Sequence, residues 1–152
     1  YWQREPVNKQ QELFLQDVIH LGHKFGINAD LTPRQNLDFW SKLNSIKNTE
    51  FESALAQMGL QGLEDIPCHS LSAGQHRRVA LARLWLTNAK LWVLDEPFTA
   101  IDKAGVELLQ RKFVTHLASG GMILLTTHQD LSMHFSSMKK VILSNGYLGD
   151  EQ

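Results

Sequence analysis

The chain has 152 residues, of which 43% are hydrophobic and 20% charged, enough apolar material for one core. A net charge of -1 carries no basic footprint of the kind that nucleic-acid binding leaves, so no nucleic-acid partner is expected. No run approaches the ~18 consecutive apolar residues that a bilayer span requires, and the single cysteine, Cys68, excludes an internal disulfide and fits a reducing compartment.

In chain order, Val18–Leu21 reads as a short strand leading into a glycine-flanked loop at 22–26. Pro33 marks a helix start, and 36–43 has helical spacing with Leu37, Trp40 and Leu43 on one side. Thr49 and Glu52 form a candidate capping box for a helix at 51–58 that Gly59 closes, with Phe51, Leu55 and Met58 read as core. A further helix is expected at 74–86. The continuous apolar run 91–94 predicts a strand buried on both faces, as in a parallel sheet. Asp102 is the expected cap of a helix reaching Ala118, which Gly120-Gly121 terminates. A second buried strand is expected at Met122–Thr126, then a helix at 131–138 and a third strand at 141–143. Asn145-Gly146 signals a turn into a hairpin strand at Tyr147-Leu148. Strands alternating with helices predict an α/β layer architecture, and the strand-free stretch at about 31–86 reads as a helical insertion.

Three places carry chemistry. Leu71-Ser72-Ala73-Gly74-Gln75 opens a helix, whose unpaired N–H groups and positive dipole end suit an anion. Gly74 would admit a phosphate without a Cβ in the way, and Ser72 adds a hydroxyl; the same residues also read as a Ser72–Gln75 capping box, and both readings stay open. Leu91 to Leu94 run into Asp95-Glu96-Pro97: Asp95, at the carboxyl end of a strand, can hold the water shell of a magnesium ion, and Glu96 can polarise an attacking water. His128 ends the next expected strand, where it can bond a γ-phosphate or that water. Cys68-His69 is read as structural. Gly-Lys-Ser and Gly-Lys-Thr do not occur, so the lysine loop that cradles nucleotide phosphates is not in this chain.

With these residues in order, the chain resembles the ATP-binding domain of ABC transporters over nearly its whole length. Leu71 to Gln75 resemble the signature motif, and His76-Arg77-Arg78-Val79-Ala80-Leu81-Ala82-Arg83 is similar to the helix behind it. Leu91 to Pro97 resemble Walker B with its catalytic glutamate, Ala100-Ile101-Asp102 the D-loop, and His128 the switch histidine. Within the family, Leu21-Gly22-His23-Lys24-Phe25-Gly26-Ile27, Leu31-Thr32, Asn36-Leu37, Tyr1-Trp2-Gln3 and the short end are most similar to haem exporter ATP-binding subunits of bacterial cytochrome c maturation. There Tyr1-Trp2-Gln3 corresponds to a strand.

The resemblance implies a P-loop NTPase core with a mostly parallel sheet and a helical signature subdomain at about 31–86. It implies ATP and Mg2+ as ligands, with Asp95 at the metal. His23 stands where most ABC domains carry a magnesium-sensing glutamine. Glu96 and His128 would be catalytic, and Ser72, Gly74 and Gln75 would reach a nucleotide held by the second copy of a homodimer. Asp102 would face that copy. Integral membrane subunits would be the partners, at the cytoplasmic side of the bacterial inner membrane. It further implies N-terminal strands and a phosphate loop before Tyr1, so the protein is expected to begin upstream, and this chain alone is expected neither to bind nor to hydrolyse ATP. A soluble, non-transport ABC protein and a non-catalytic truncated interaction module are the alternative readings.

Overall fold

Three short apolar strands form a parallel sheet in the order β1 (Val18–Leu21), β2 (Leu91–Asp95), β3 (Met122–Thr126). The register aligns Ile19 with Trp92 and Ile123, and Leu21 with Leu94 and Leu125, so these six side chains share one face. That face holds the core: Trp92 and Leu94 are buried beneath Leu109 and Phe113. Val18, His20, Leu91, Val93, Met122 and Leu124 alternate onto the opposite face, where they are half-buried or exposed. The burial expected on both sides of β2 and β3 is therefore corrected: β2 is buried on one face and half-buried on the other, and β3 is half-buried on one face and exposed on the other. Within the described residues the reason is topological. The strands are laid down in one direction across the sheet, and right-handed crossovers then bring both connections onto the same face. The structure is a computed structural model that describes residues 1–128, 138–139, 141–144 and 147–150.

Between β1 and β2 the chain is helical, with no strand. α2 (Pro33–Leu43), which follows α1 (Gln11–Gln16), starts at a full capping box: the Thr32 hydroxyl accepts from the Gln35 amide and the Gln35 side chain accepts from the Thr32 amide. Pro33 follows at the first helical position, where a missing N–H costs nothing. Thr32→Ala is expected to cost about 1 kcal/mol, read as a lower denaturant midpoint at unchanged slope. α3 (Phe51–Gln57) departs from expectation, because its cap residue is Glu50 with no side-chain bond. Thr49 serves the turn through its carbonyl, which accepts from the Phe51 amide at 2.8 Å, and the cap position falls to Glu50 instead. Gly59, at φ +68, ends the α3 turn as expected, and Phe51, Leu55 and Met58 are all buried.

α4 (Ala73–Ala82) is shorter than the expected helix at 74–86, since residues Arg83–Trp85 tighten into a 3-10 turn. Such tightening satisfies carbonyls at a helix C-terminus. α5 (Lys103–Ala118) returns the chain to β3 and is capped by Asp102, whose carboxylate accepts from the Gly105 amide at 2.8 Å.

At the amino end, the strand expected at Tyr1-Trp2-Gln3 is corrected to a single antiparallel bridge between Trp2 and Glu5. Gln3 and Arg4, both at positive φ, reverse the chain between them, so Trp2 pairs with its own turn rather than with a sheet. At the other end, β4 (Val141–Ser144) pairs antiparallel with β5 (Tyr147–Asp150) in a two-stranded ladder, one residue longer on β4 and two on β5 than expected. The expected helix at 131–138, apart from Met138, and the turn at 145–146 lie outside the described residues. Among the described residues, no helix is long and apolar enough to cross a membrane.

Candidate functional site

Asp95 is the last residue of β2 and lies beside Thr126, the last of β3. The Thr126 hydroxyl donates to Asp95 Oδ1 at 2.6 Å. The next amide, that of Glu96, donates to the Thr126 carbonyl at 3.2 Å and to its hydroxyl oxygen at 3.0 Å. Glu96 has φ +47, a left-handed conformation uncommon for a side chain of this size. Its carboxylate Oε1 stands 3.4 Å from His128 Nε2, and the histidine side chain is 97% exposed. The carboxyl edge of β2 and β3 thus gathers Asp95, Glu96 and His128, three residues singled out by sequence alone. Thr126 was missed. It reads as the polar end of an apolar run, and only the β2–β3 register reveals that its hydroxyl serves the acids.

His23 is exposed in the 22–26 loop that follows β1. Two arginines beyond the signature residues grip this loop. Arg77 Nη1 donates to the Gly22 carbonyl at 3.3 Å, and its guanidinium lies 4.8 Å from the centre of the Phe25 ring. Arg83 donates to the carbonyls of Phe25 at 3.1 Å and Gly26 at 2.7 Å; burial pushes its pKa down to about 10. Arg77 Nη2 also reaches the carbonyls of Asp95 at 2.5 Å and Glu96 at 2.7 Å. The loop bearing His23 and the acidic edge of β2 therefore share one guanidinium.

At the start of α4 the capping box is formed: Ser72 Oγ accepts from the Gln75 amide at 3.2 Å, and Gln75 Oε1 accepts from the Ser72 amide at 2.8 Å. These bonds use acceptors only, which leaves the Ser72 hydroxyl proton and the Gln75 amide NH2 as donors. Capping and anion contact are thus compatible. Gly74 is required for a reason within the chain, since a Cβ there would stand 2.5 Å from the Ala100 carbonyl oxygen. Arg78 completes the connection, its Nη2 pairing with Asp102 at 2.7 Å. Cys68 is buried, and its Sγ accepts from Asn36 Nδ2 at 3.4 Å.

The Asp102 carboxyl is held below the usual carboxylate range by the Gly105 amide first and by Arg78. A depressed folded value means that this cap contributes stability above the unfolded pKa of ~3.9 and loses it as pH falls towards the folded one. Melting temperature should therefore drop less between about pH 5 and pH 3 in Asp102→Asn than in the unsubstituted chain.

Among the described residues, no three of His, Cys, Asp and Glu cluster as a metal cage. Magnesium needs none: it keeps several waters and binds through one or two carboxylates together with substrate phosphates. Asp95, oriented by Thr126, fits that requirement.

The sequence pattern of the ABC transporter family matches residues 1–99. The chain is 50% identical over 149 residues to a protein of Salmonella typhi named cytochrome c biogenesis ATP-binding export protein, covering 98% of this chain and 71% of that one. It belongs to the ABC transporter family. The protein of the same name from Vibrio parahaemolyticus is 47% identical over 146 residues, again covering 71% of its length. Among solved structures, an ATP-binding subunit of an ABC transporter superposes with a TM-score of 0.71 at 17% identity, over 84% of this chain and 55% of that one. A Pyrococcus furiosus putative ABC transporter ATP-binding protein gives 0.69 at 23% identity, over 85% and 64%. These likenesses establish the fold as that of ABC ATP-binding domains, a P-loop NTPase α/β architecture. The chain spans between half and three quarters of the length of these relatives and structures.

Proposed function

We propose that this chain is the part of an ATP-hydrolysing transporter subunit that carries the hydrolytic carboxylate and the signature loop, working in cytochrome c biogenesis. The observation that carries the reading is the acidic edge, where Glu96 faces His128 and Asp95 is bonded by Thr126. Glu96 orients or deprotonates the water; the water oxygen bonds to the γ-phosphorus as the bond to the ADP oxygen breaks. His128 Nε2 bonds the same water or a phosphate oxygen. Asp95 would hold magnesium, which would supply neutralisation of the phosphate charge. By the family resemblance, His23 stands at the loop position that glutamine occupies in most of the family.

The residues at the start of α4 serve a second nucleotide. Ser72 and Gln75 donate, and the backbone at Gly74 contacts, a γ-phosphate held by the other copy of a homodimer, while Asp102 faces that copy. The helices between β1 and β2 form the arm that carries this loop. Support comes from the donors left free by the capping box and from the export proteins at 50% identity. Integral membrane subunits are the partners, at the cytoplasmic side of the bacterial inner membrane, with haem as the cargo that the subgroup resemblance implies.

The reading requires a phosphate loop in the same polypeptide. Sequencing the DNA upstream of Tyr1 is expected to show an in-frame Gly-x-x-x-x-Gly-Lys-Ser/Thr run. A stop codon directly upstream would overturn the ATPase reading in favour of a non-catalytic module. Pull-down of membrane subunits by the full-length product then tests the transporter assignment, and their absence from the eluate would favour a soluble ABC protein.

A further inference from the structure

Arg77 lies in α4, two residues past Gln75, and is only 3% exposed. A buried guanidinium is costly unless its N–H groups are matched; among the described residues no carboxylate forms an ion pair with this one, although the charges of Asp95 and Glu96 attract it, and its Nε has no hydrogen-bond partner. What it does bond is backbone: the carbonyls of Asp95 at 2.5 Å, Glu96 at 2.7 Å and Gly22 at 3.3 Å. A core position served only by packing would take an apolar side chain. The charge is explained by the carbonyls it holds together with the attraction of the Asp95 and Glu96 carboxylates.

Two of those carbonyls, of Asp95 and Glu96, lie at a strained point of the acidic edge. Glu96 is left-handed at φ +47, and such a conformation persists when its surroundings over-determine it. Its amide is fixed by Thr126 at 3.0 Å. On the other side its carbonyl accepts from Arg77 and from the Thr99 amide at 3.1 Å. Both peptide units that flank the Glu96 side chain are therefore pinned, one by β3 and one by α4. Without Arg77, the Asp95 and Glu96 carbonyls lose their shared donor. Relaxation of Glu96 to negative φ then swings its Cα–Cβ bond and takes the carboxylate away from His128.

We propose that Arg77 is a positioning residue for Glu96, holding the backbone on both sides of it so that the carboxylate faces the reacting water. The proposal rests on the hydrolytic role assigned to Glu96 above. It also links the signature helix, which carries Arg77, to the loop bearing His23 and to the backbone from which that carboxylate projects, through the carbonyls of Gly22 and Glu96.

The test uses the full-length polypeptide with Arg77→Gln and Arg77→Lys, reading ATP hydrolysis and amide hydrogen exchange. In Arg77→Gln, kcat should fall by about tenfold to 100-fold with KM for ATP within about twofold, the pattern of a misplaced catalytic group. The Glu96 amide should exchange faster while the amides of α4 and β2 keep their protection. Lysine, which keeps the charge and reaches one carbonyl, should restore part of kcat. Unchanged kcat and unchanged Glu96 exchange would overturn the proposal. So would a joint fall of kcat, ATP affinity and melting temperature in both variants, which marks a structural role. If Arg77→Gln does not fold, Arg77→Lys decides by the same readings. Should the unsubstituted protein prove inactive, the hydrolytic reading fails, and Glu96 exchange still decides whether Arg77 holds that backbone.

Discussion

Glu96→Gln is expected to lower ATP hydrolysis by the full-length dimer by about 10²–10⁴-fold, the range for loss of a general base, with nucleotide affinity little changed. The amide keeps the length of the side chain and removes its ability to take a proton. The backbone bonds of Glu96 to Thr126 and Arg77 do not involve the carboxylate, so the local fold should survive and the loss should fall on kcat. Asp95 is spared as well, since its bond from Thr126 is independent of the Glu96 side chain. Steady-state hydrolysis and equilibrium nucleotide binding on the same preparation separate the outcomes. A variant that hydrolyses at the unsubstituted rate would remove Glu96 from the mechanism. One that loses nucleotide binding in parallel would show that the residue serves the site's architecture instead.

Trp92→Ala should produce the largest loss of stability, about 3–5 kcal/mol, as expected for deleting a fully buried aromatic ring. Trp92 is 1% exposed at the centre of the covered sheet face. Its ring stacks on His116 with centroids 3.8 Å apart and meets Phe113 edge-on at 6.1 Å, and its indole N–H donates to the Ala89 carbonyl. Its strand is the middle one, paired on both sides, and ends in Asp95, so loosening it also loosens the acidic edge. Leu124→Ala is the matched control. Leu124 lies on the other face and is 63% exposed, and its replacement in this chain should change stability by no more than about 0.5 kcal/mol. Denaturant unfolding of both variants measures the difference. Equal losses would mean that the two sheet faces are equally buried.

Much of the candidate site was legible because its signals are local. Apolar runs ending in acids or histidine gave β2 with Asp95 and β3 with His128. Ser72 and Asp102 were legible as caps because a cap is made by a side chain and an amide three positions on. The same logic misled at Thr49 and Glu52, which have the spacing of a capping box. The helix there begins at Phe51 with Glu50 as its cap, and spacing alone does not report which residue leaves the helical conformation. The Thr32–Gln35 box, one helix earlier, has identical spacing and is formed.

From sequence alone came the strands β1 to β3 with the helices α2 to α5 between them, the acids at the end of an apolar run, the capped signature loop and the family resemblance, whereas α1 was not anticipated. Each motif and each element depends on residues within a few positions of one another, and the resemblance adds only their order along the chain. The tertiary structure decided the rest. Burial on one sheet face follows from the direction in which successive crossovers are laid down. The contact of Thr126 with Asp95 follows from strand register across 31 residues. The grip of Arg77 on Glu96 and Gly22 spans 19 and 55 residues. A chain pattern carries no record of such separations, because an arginine in an amphipathic helix looks the same whether it faces water or three backbone carbonyls.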